Sequence, residues 1–446
     1  MRLEAFKKKV SIIIAFLVVA LAVPETVSAS AGDVFLTLKD SELYALSACL
    51  MDADNGRVLY GKNVDDVRAM ASTTKIMTLI IALEYGNADD IVTISPYAAS
   101  MPDVQLNVMA GEQYRLEDLC YAMMLESFND VAVAIAEYVG EKYGMQEDFQ
   151  KRGNPDNLTD EKTDTANEAK DNNESQTYSQ DVSSRGYDES RLYVRKFADL
   201  MNEKARELGC INTYFITPNG LDAEDENGKH STTARELALI ASYAIKNDEF
   251  NNTTGTKQYS FNEINEKRSC TAYNKDAFLN HMSGAFGIKT GFTGDAGYCF
   301  VGALRSDGRT FISVVLGSGW PSNRTYKWKD TRKLMEYGIN NFFEKTIFSS
   351  IEEYKEVEVT DGIEDSTGSR IDGLLSMLLC DADDVRVVYE LEDSVPAPVD
   401  IGDVLGKAIV YINGERMEEF PITATSKVER VDYKWYLQKL LDLMRL

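Results

Sequence analysis

The sequence predicts an α+β fold in two folded domains, the second small and all-β, with an amphipathic helix at the end. Three observations lead there. The 446 residues, 44% hydrophobic, exceed one ordinary domain. Helical periodicity between Ser72 and Ile245 is bracketed by strand-and-turn patterns on both sides. Beyond about residue 346 the pattern changes to short alternating strands.

Residues 1–31 read as a secretory signal peptide: Arg2 and Lys7 to Lys9, an apolar run Val10–Val23, and the small-residue exit Ala29-Ser30-Ala31. The alternative is an uncleaved anchor, although the run is short for a full span. Leu46–Asp52, Asn55-Gly56 and Val58–Tyr60 predict strand, hairpin turn and strand. Ile76, Leu79, Ile80 and Leu83 then repeat at helical spacing, with Ser72 in the first turn. A second apolar helix through Leu119, Met123 and Met124 breaks at Ser127-Phe128-Asn129-Asp130 and resumes over Val131–Val139.

From 153 to 190 the chain is almost wholly polar and is expected to be a disordered insertion, because it has too few apolar side chains to offset the entropy of ordering. Helices follow at Tyr193–Leu208 and Ala234–Ile245, then strands at Ala285–Phe292, Tyr298–Arg305 and Thr310–Leu316, the last two joined by an Asp307-Gly308 hairpin turn. A helix over Lys329–Phe343 closes the first domain, 32–346. The β domain is placed at 347–425, with strands at Glu356–Val359, Val385–Leu391, Val404–Ile412 and Phe420–Thr425. In the tail, 427–446, Tyr433, Leu437, Leu440, Leu441 and Met444 share one helical face among five basic and three acidic residues. Such a helix suits a membrane interface; packing on its own domain or a partner helix is the alternative.

The composition excludes several function classes. Asp and Glu number 72 against 47 Lys and Arg, a net charge of −25, so no basic field favours nucleic acid. Two histidines, His230 and His281, exclude His-rich metal sites. The six cysteines lack any CxxC pair and mostly sit among apolar residues, which suggests buried thiols, although an exported protein permits disulfides.

Three motifs carry chemistry: Ser72-Thr73-Thr74-Lys75 opening a helix, Ser127-Phe128-Asn129 at a helix break, and Lys289-Thr290-Gly291 in a strand. Each is weak alone, and a second SxN stands at Ser260-Phe261-Asn262. Their order and contexts together point to a serine nucleophile. With so little imidazole available, the base is expected to be an amine. Lys75 lies one turn after Ser72; burial and a second cation, Lys289, would depress its pKa. A helix starting at Ser72 also places that residue's N–H at a positive dipole end, suited to an oxyanion.

These motifs resemble those of the penicillin-recognising serine enzymes, and more narrowly those of the low-molecular-mass penicillin-binding proteins, the serine D-alanyl-D-alanine carboxypeptidases. Cys49–Glu84, Gly111–Gly140, Phe215–Leu237 and Gly284–Gly319 carry the likeness, and Ile401–Ile422 is similar to that family's C-terminal domain. The resemblance implies a β-lactamase/transpeptidase-like domain, an antiparallel sheet flanked by helices, with neither metal nor cofactor. It implies Ser72 as nucleophile, Lys75 as base and Ser127 as proton relay. Asn129 would bond the substrate backbone, and Lys289, Thr290 and Gly291 would bind the terminal carboxylate region. The backbone N–H groups of Ser72 and Phe292 would form the oxyanion hole.

The implied partners are a peptidoglycan stem peptide, β-lactam antibiotics and, through the tail, a membrane surface at the extracytoplasmic face of a bacterial cell. Phe128 departs from the usual small residue and is expected to narrow the cleft. A D,D-endopeptidase or a non-catalytic penicillin-binding sensor would share the scaffold. A class A β-lactamase would need a deacylating glutamate, which Asp276–Asn280 imitates only weakly, with Asp in its place.

Overall fold

The structure, a computed structural model, describes residues 37–151 and 174–444, without the side chains of 144–185. The leader expected at 1–31, and residues 153–173 of the insertion, lie outside the described residues.

Strands β1 (Ser47–Asp52) and β2 (Val58–Lys62) join β3 (Ala285–Thr293), β4 (Gly297–Ser306) and β5 (Arg309–Leu316) in one antiparallel sheet of order β2-β1-β5-β4-β3. Ala48 faces Val315 across the β1–β5 pair, and Met51 faces Ile312. Both faces of the sheet are covered, which is why its central strands read as apolar runs. Cys49, Met51, Val301, Ile312 and Val314 enter one core, while Ala48, Leu50, Phe300, Phe311 and Val315 enter the other.

The first core is built with helices α1 (Lys75–Tyr85), α2 (Leu116–Glu126), α3 (Asn129–Lys151), α4 (Glu174–Glu207), α5 (Ala234–Ala244) and α6 (Asp248–Gly255). The second is closed by α7 (Tyr326–Asn341) through Leu334 and Met335. Asp330 of α7, fully buried, accepts from the backbone N–H groups of Tyr44 and Ala45 and from Ser318 Oγ, tying the start of the domain to its end. Helix α4 begins at Glu174, so the latter part of the segment expected to be disordered is helical. The cause is propagation: once Phe197, Leu200 and Met201 anchor the helix in the core, each further turn costs far less than nucleating one. Gly140 permits the close crossing, since a Cβ there would stand 2.1 Å from Tyr193 O.

The second domain is all β, as expected, but begins four residues early. Strands β6 (Phe343–Ile351), β7 (Glu356–Thr360), β8 (Ser366–Leu379), β9 (Val385–Leu391), β10 (Ser394–Pro396), β11 (Val404–Ile412) and β12 (Glu415–Ala424) form one sheet of order β9-β11-β12-β8-β7-β10, with β6 also pairing β8. The sequence reading missed β8, a strand of 14 residues, because glycines at 368 and 373 interrupt its alternation. It serves three partners in succession: β7 near Thr367, β12 near Arg370, and β6 from Ile371 to Leu379. The domain also extends further than expected. Val428 is buried and bridges Val399, so the tail helix α8 is only Tyr433–Met444.

A buried ion pair joins the domains. Arg57, in the β1–β2 turn, donates to Asp383 Oδ1 at 2.5 Å and to Leu378 O, and both charged side chains are at most one-tenth exposed. Leu378 itself enters the second core of the first domain. Removing one partner of such a pair strands the other charge. Arg57→Ala is therefore expected to lower unfolding stability by about 3 kcal/mol and, in differential scanning calorimetry, to separate melting of the β domain from that of the first; an unchanged single transition would show that the latch carries no load.

Candidate active site

Ser72 is held by a turn tighter than the helix expected there. Ala71–Thr74 forms a 3-10 turn that passes into α1 at Lys75. In 3-10 geometry residues three apart eclipse, which sets the Lys75 amine over the Ser72 hydroxyl, Nζ to Oγ 3.0 Å. Thr73 Oγ1 donates to Met70 O and Thr74 Oγ1 to Ala71 O, fastening the turn from within. Lys75 is fully buried and Ser72 half-buried.

The second motif sits at a chain reversal. Helix α2 ends with Ser127 in the left-handed region, φ +70°, its N–H on Met123 O, and α3 restarts at Asn129. Asn129 Oδ1 accepts from Lys75 Nζ at 2.9 Å, while its Nδ2 donates to the carbonyls of Pro102 and Asp103. The carboxamide expected to bond substrate is thus committed to the lysine and to the loop at 102–103. Asp130 accepts from the N–H groups of Leu106 and Val108 and steadies the same loop. Phe128, expected to narrow the cleft, is 9% exposed and packs into the helical core.

The third motif lies on β3, the edge of the five-stranded sheet. A Cβ on Gly291 would stand 3.0 Å from Ser72 N, so glycine is what lets this strand touch the nucleophile's turn. Lys289 is buried and donates to Thr290 O at 3.2 Å; Thr290 is half-buried. Phe292 is exposed, its ring 4.6 Å from that of Tyr298. The structure thus brings Ser72, Lys75, Asn129 and Gly291 into one cluster. The second SxN, Ser260–Asn262, is apart from it in a hairpin of Gln258–Asn262 with Ser269–Tyr273, where Ser260 meets Thr271.

Two participants were not legible as motifs. Asn219 contributes its backbone carbonyl, which accepts from Lys75 Nζ at 2.5 Å and lies 3.4 Å from Ser72 Oγ. Only the Pro218-Asn219-Gly220 turn signal marked the spot. Gly220, φ +82°, packs on the nucleophile's turn: a Cβ there would stand 2.1 Å from Ala71 O. Asp276, whose segment weakly imitated a deacylating motif, caps a 3-10 turn, Ala277–Asn280. Its Oδ1 accepts from Phe278 N, and its buried Oδ2 has no hydrogen-bond partner.

Burial dominates the electrostatics. It drives the Lys75 amine well below its ordinary value, the charge of Lys289 pushes the same way, and Asp130 opposes only in part. Lys289 falls to about 7, again chiefly through burial, with Asp276 favouring its charge and Lys327 disfavouring it. Asp276 rises to about 7 because burial outweighs its N–H contact and the two lysines. Lys327 stands over the rings of Tyr298 and Trp328, at 4.7 and 4.9 Å. All six cysteines are free thiols, and burial pushes those of Cys49, Cys120, Cys210 and Cys299 up to about 12, outside this chemistry.

Comparison with known proteins agrees with this arrangement. The D-alanyl-D-alanine carboxypeptidase family profile matches residues 35–156 and 193–319, leaving the insertion unmatched, and the profile of the penicillin-binding protein 5 C-terminal domain matches 342–430. The chain is 27% identical to the D-alanyl-D-alanine carboxypeptidase DacF of Bacillus subtilis over 89% of each chain. It is 30% identical to the D-alanyl-D-alanine carboxypeptidase of Streptomyces sp. strain K15, covering 66% of this chain and 87% of that one. Among solved structures, penicillin-binding protein 5 of Haemophilus influenzae shares the fold, with a TM-score of 0.61 at 23% identity over 88% of this chain and all of that one. A mutant of the Streptomyces K15 DD-transpeptidase aligns with a TM-score of 0.51 at 28% identity, over 67% of this chain and 98% of that one. With the profile spanning more than half its length and a buried lysine seated on the motif serine, this chain belongs to the D-alanyl-D-alanine carboxypeptidase family of serine peptidases.

Proposed function

We propose that the protein removes the terminal D-alanine from peptidoglycan pentapeptide stems through an acyl-enzyme on Ser72, and that β-lactams acylate the same oxygen. One observation carries this reading: the Lys75 amine, buried and 3.0 Å from Ser72 Oγ, is surrounded by neutral acceptors, Asn129 Oδ1 and Asn219 O. Among the described residues no carboxylate lies within ion-pair distance of it. An amine so placed is held neutral and can take a proton.

Lys75 accepts the Ser72 proton as Oγ attacks the carbonyl of the D-Ala–D-Ala bond. The negative oxygen is held by the N–H groups of Ser72 and Phe292. As the C–N bond breaks, the proton on Lys75 passes through the Ser127 hydroxyl to the departing amine, and free D-alanine leaves. Water then attacks the ester carbonyl, Lys75 takes the water's proton, and the proton returns to Ser72 Oγ as the ester bond breaks. Protonated Lys289, with Thr290, holds the terminal carboxylate, which restricts the reaction to a chain end.

The protein is exported, and α8 rests in the membrane interface on the extracytoplasmic face. Its Tyr433, Tyr436, Leu437, Leu440, Leu443 and Met444 are exposed, an apolar surface unusual for water. Among the described residues no helix is long and apolar enough to cross a membrane. Because Val428 belongs to the β core, the informative truncation removes only 433–446. That truncation is expected to abolish flotation with anionic liposomes and leave activity on soluble peptide intact; equal flotation removes the anchor.

Incubation with benzylpenicillin should add one drug mass to the wild type and none to Ser72→Ala, with D-Ala released from a pentapeptide by the wild type only. Acylation without D-Ala release would move the reading to an endopeptidase or sensor.

The charges on the two lysines set the pH profile. The base must be neutral and the carboxylate anchor protonated. So kcat/KM should rise as Lys75 loses its proton, then fall through about pH 7 as Lys289 does. Asp276→Asn removes the charge that favours protonated Lys289. The falling limb should move to lower pH, with KM at pH 7 raised about tenfold and kcat little changed; a stationary limb would dissociate Asp276 from the anchor.

A further inference from the structure

His230 stands in the segment between the short hairpin at Glu224–Lys229 and α5, 4% exposed, and no step above uses it. Its hydrogen bonds fix its tautomer. Nδ1 accepts from the backbone N–H of Ile216 at 2.9 Å and faces that of Thr217 at 3.4 Å, so the lone pair is there and the proton is on Nε2. Nε2 lies 2.7 Å from Thr74 Oγ1 and therefore donates to it. Thr74 Oγ1 in turn donates to Ala71 O at 2.8 Å. Ala71 O belongs to the peptide group whose nitrogen is Ser72 N.

That peptide needs holding. Ala71 has φ +49°, a left-handed conformation that costs a non-glycine residue about 1 kcal/mol or more. It persists where the surroundings over-determine it. Gly220 and Gly291 pack against it, and the chain from His230 adds a side-chain hydrogen bond on its carbonyl to the backbone bonding of the 3-10 turn. The other end of the chain holds Ile216 and Thr217. Thr217 Oγ1 accepts from Gly220 N and donates to Leu221 O, which sets the turn presenting Asn219 O to Lys75.

We infer that His230, as the neutral Nε2–H tautomer, is a positioning residue that clamps the Ala71–Ser72 peptide to the 216–221 turn and so aims the Ser72 N–H at the oxyanion. The inference rests on the serine acyl-transfer reading above. The ring is suited to it: burial, then the nearby Lys75, lower its basicity to about 4, so it stays neutral across the working range. Phe215 packs edge-on at 5.9 Å. Lys75 of α1 is the charged group that bears on it among the described residues.

The test separates the two ends of the clamp. His230→Gln can place an amide N–H where Nε2 stood and remake the Thr74 bond; His230→Asn can place an oxygen where Nδ1 stood and keep only the Ile216 bond; His230→Phe keeps neither. The acylation rate with benzylpenicillin and kcat on a D-Ala-D-Ala peptide should fall about 30- to 100-fold in the Asn and Phe variants. Gln should recover to within about tenfold of wild type, and KM should stay within about threefold throughout, since the carboxylate anchor is untouched. Variants equal to wild type, Asn matching Gln, or a loss confined to KM would overturn the inference.

A second readout does not depend on activity. Nitrogen-15 NMR of the full mature chain, with only His230 and His281 to assign, should show one imidazole fixed as the Nε2–H tautomer and not titrating between pH 5 and 8. An Nδ1–H tautomer or a normal titration overturns the clamp. A wild type that gives the fixed tautomer but neither penicillin adduct nor D-Ala would instead sink the catalytic reading on which the oxyanion role rests, and that role with it.

Discussion

The site depends on keeping one amine out of water without giving it a counter-ion. A lysine buried in this way loses the hydration of its charge, and a nearby carboxylate would restore the charge and defeat the proposed role of base. The protein solves this with three neutral oxygens around Lys75 Nζ: Ser72 Oγ, Asn129 Oδ1 and Asn219 O. They satisfy the hydrogen-bonding capacity of the amine while contributing no full negative charge. Asp130, the acid next to Asn129, is turned onto backbone N–H groups instead, where its charge organises a loop.

Those three oxygens come from three separate parts of the chain, and the fold exists around the need to bring them together. The 3-10 turn carries Ser72 and Lys75, the left-handed break at Ser127 starts α3 at Asn129, and the 216–221 turn delivers Asn219. Steric room is the shared currency of these approaches. Gly220 and Gly291 press on the Ala71–Ser72 peptide where no Cβ fits. The sheet then supplies a rigid edge, β3, backed by β4 and β5 with apolar cores on both faces.

Side-chain chemistry was legible in the sequence, whereas backbone chemistry was legible only where a motif carried it, as at the Ser72 N–H. SxxK, SxN and KTG announce themselves because the reaction needs those functional groups at those separations. Even so, the decoy at Ser260–Asn262 shows that spacing alone does not place a residue in the site. The carbonyl of Asn219 works through an atom every residue has, so nothing in its identity marks it. His230 is legible only through its tautomer, which its partners set. The same division holds for the fold. Regular apolar periods and turn signals gave α1, α2, α5 and the individual strands β1 to β5, while the antiparallel sheet that unites them was what the family resemblance implied. Strand β8 escaped because its alternation is broken by glycine and it changes partner along its length. The tail boundary was misplaced because Val428 belongs to the β core through contacts with segments distant in sequence. Phe128 was placed in the right motif and given the wrong direction, since spacing fixes a helix face but not the rotamer or its partners.

Asp276 and Lys289 connect this chemistry to stability. For Lys289, folding lowers the pKa from 10.5 to about 7, so the folded state binds fewer protons than the unfolded one between those values. Its cost is full below about pH 7 and fades as pH rises toward 10.5. For Asp276, folding raises the pKa from 3.8 to about 7, so its cost is absent below 3.8 and full above about 7. The two penalties, each on the order of several kcal/mol, therefore overlap most completely near neutrality. That is also where the proposed pairing of a protonated anchor with a neutral base would operate. On the proposed reading, a substrate carboxylate beside Lys289 would add to the counter-charge that Asp276 supplies and relieve part of the lysine's penalty. Ligand binding on that reading would draw on the free energy of these buried charges, a trade of stability for readiness that a site free of buried charge could not make.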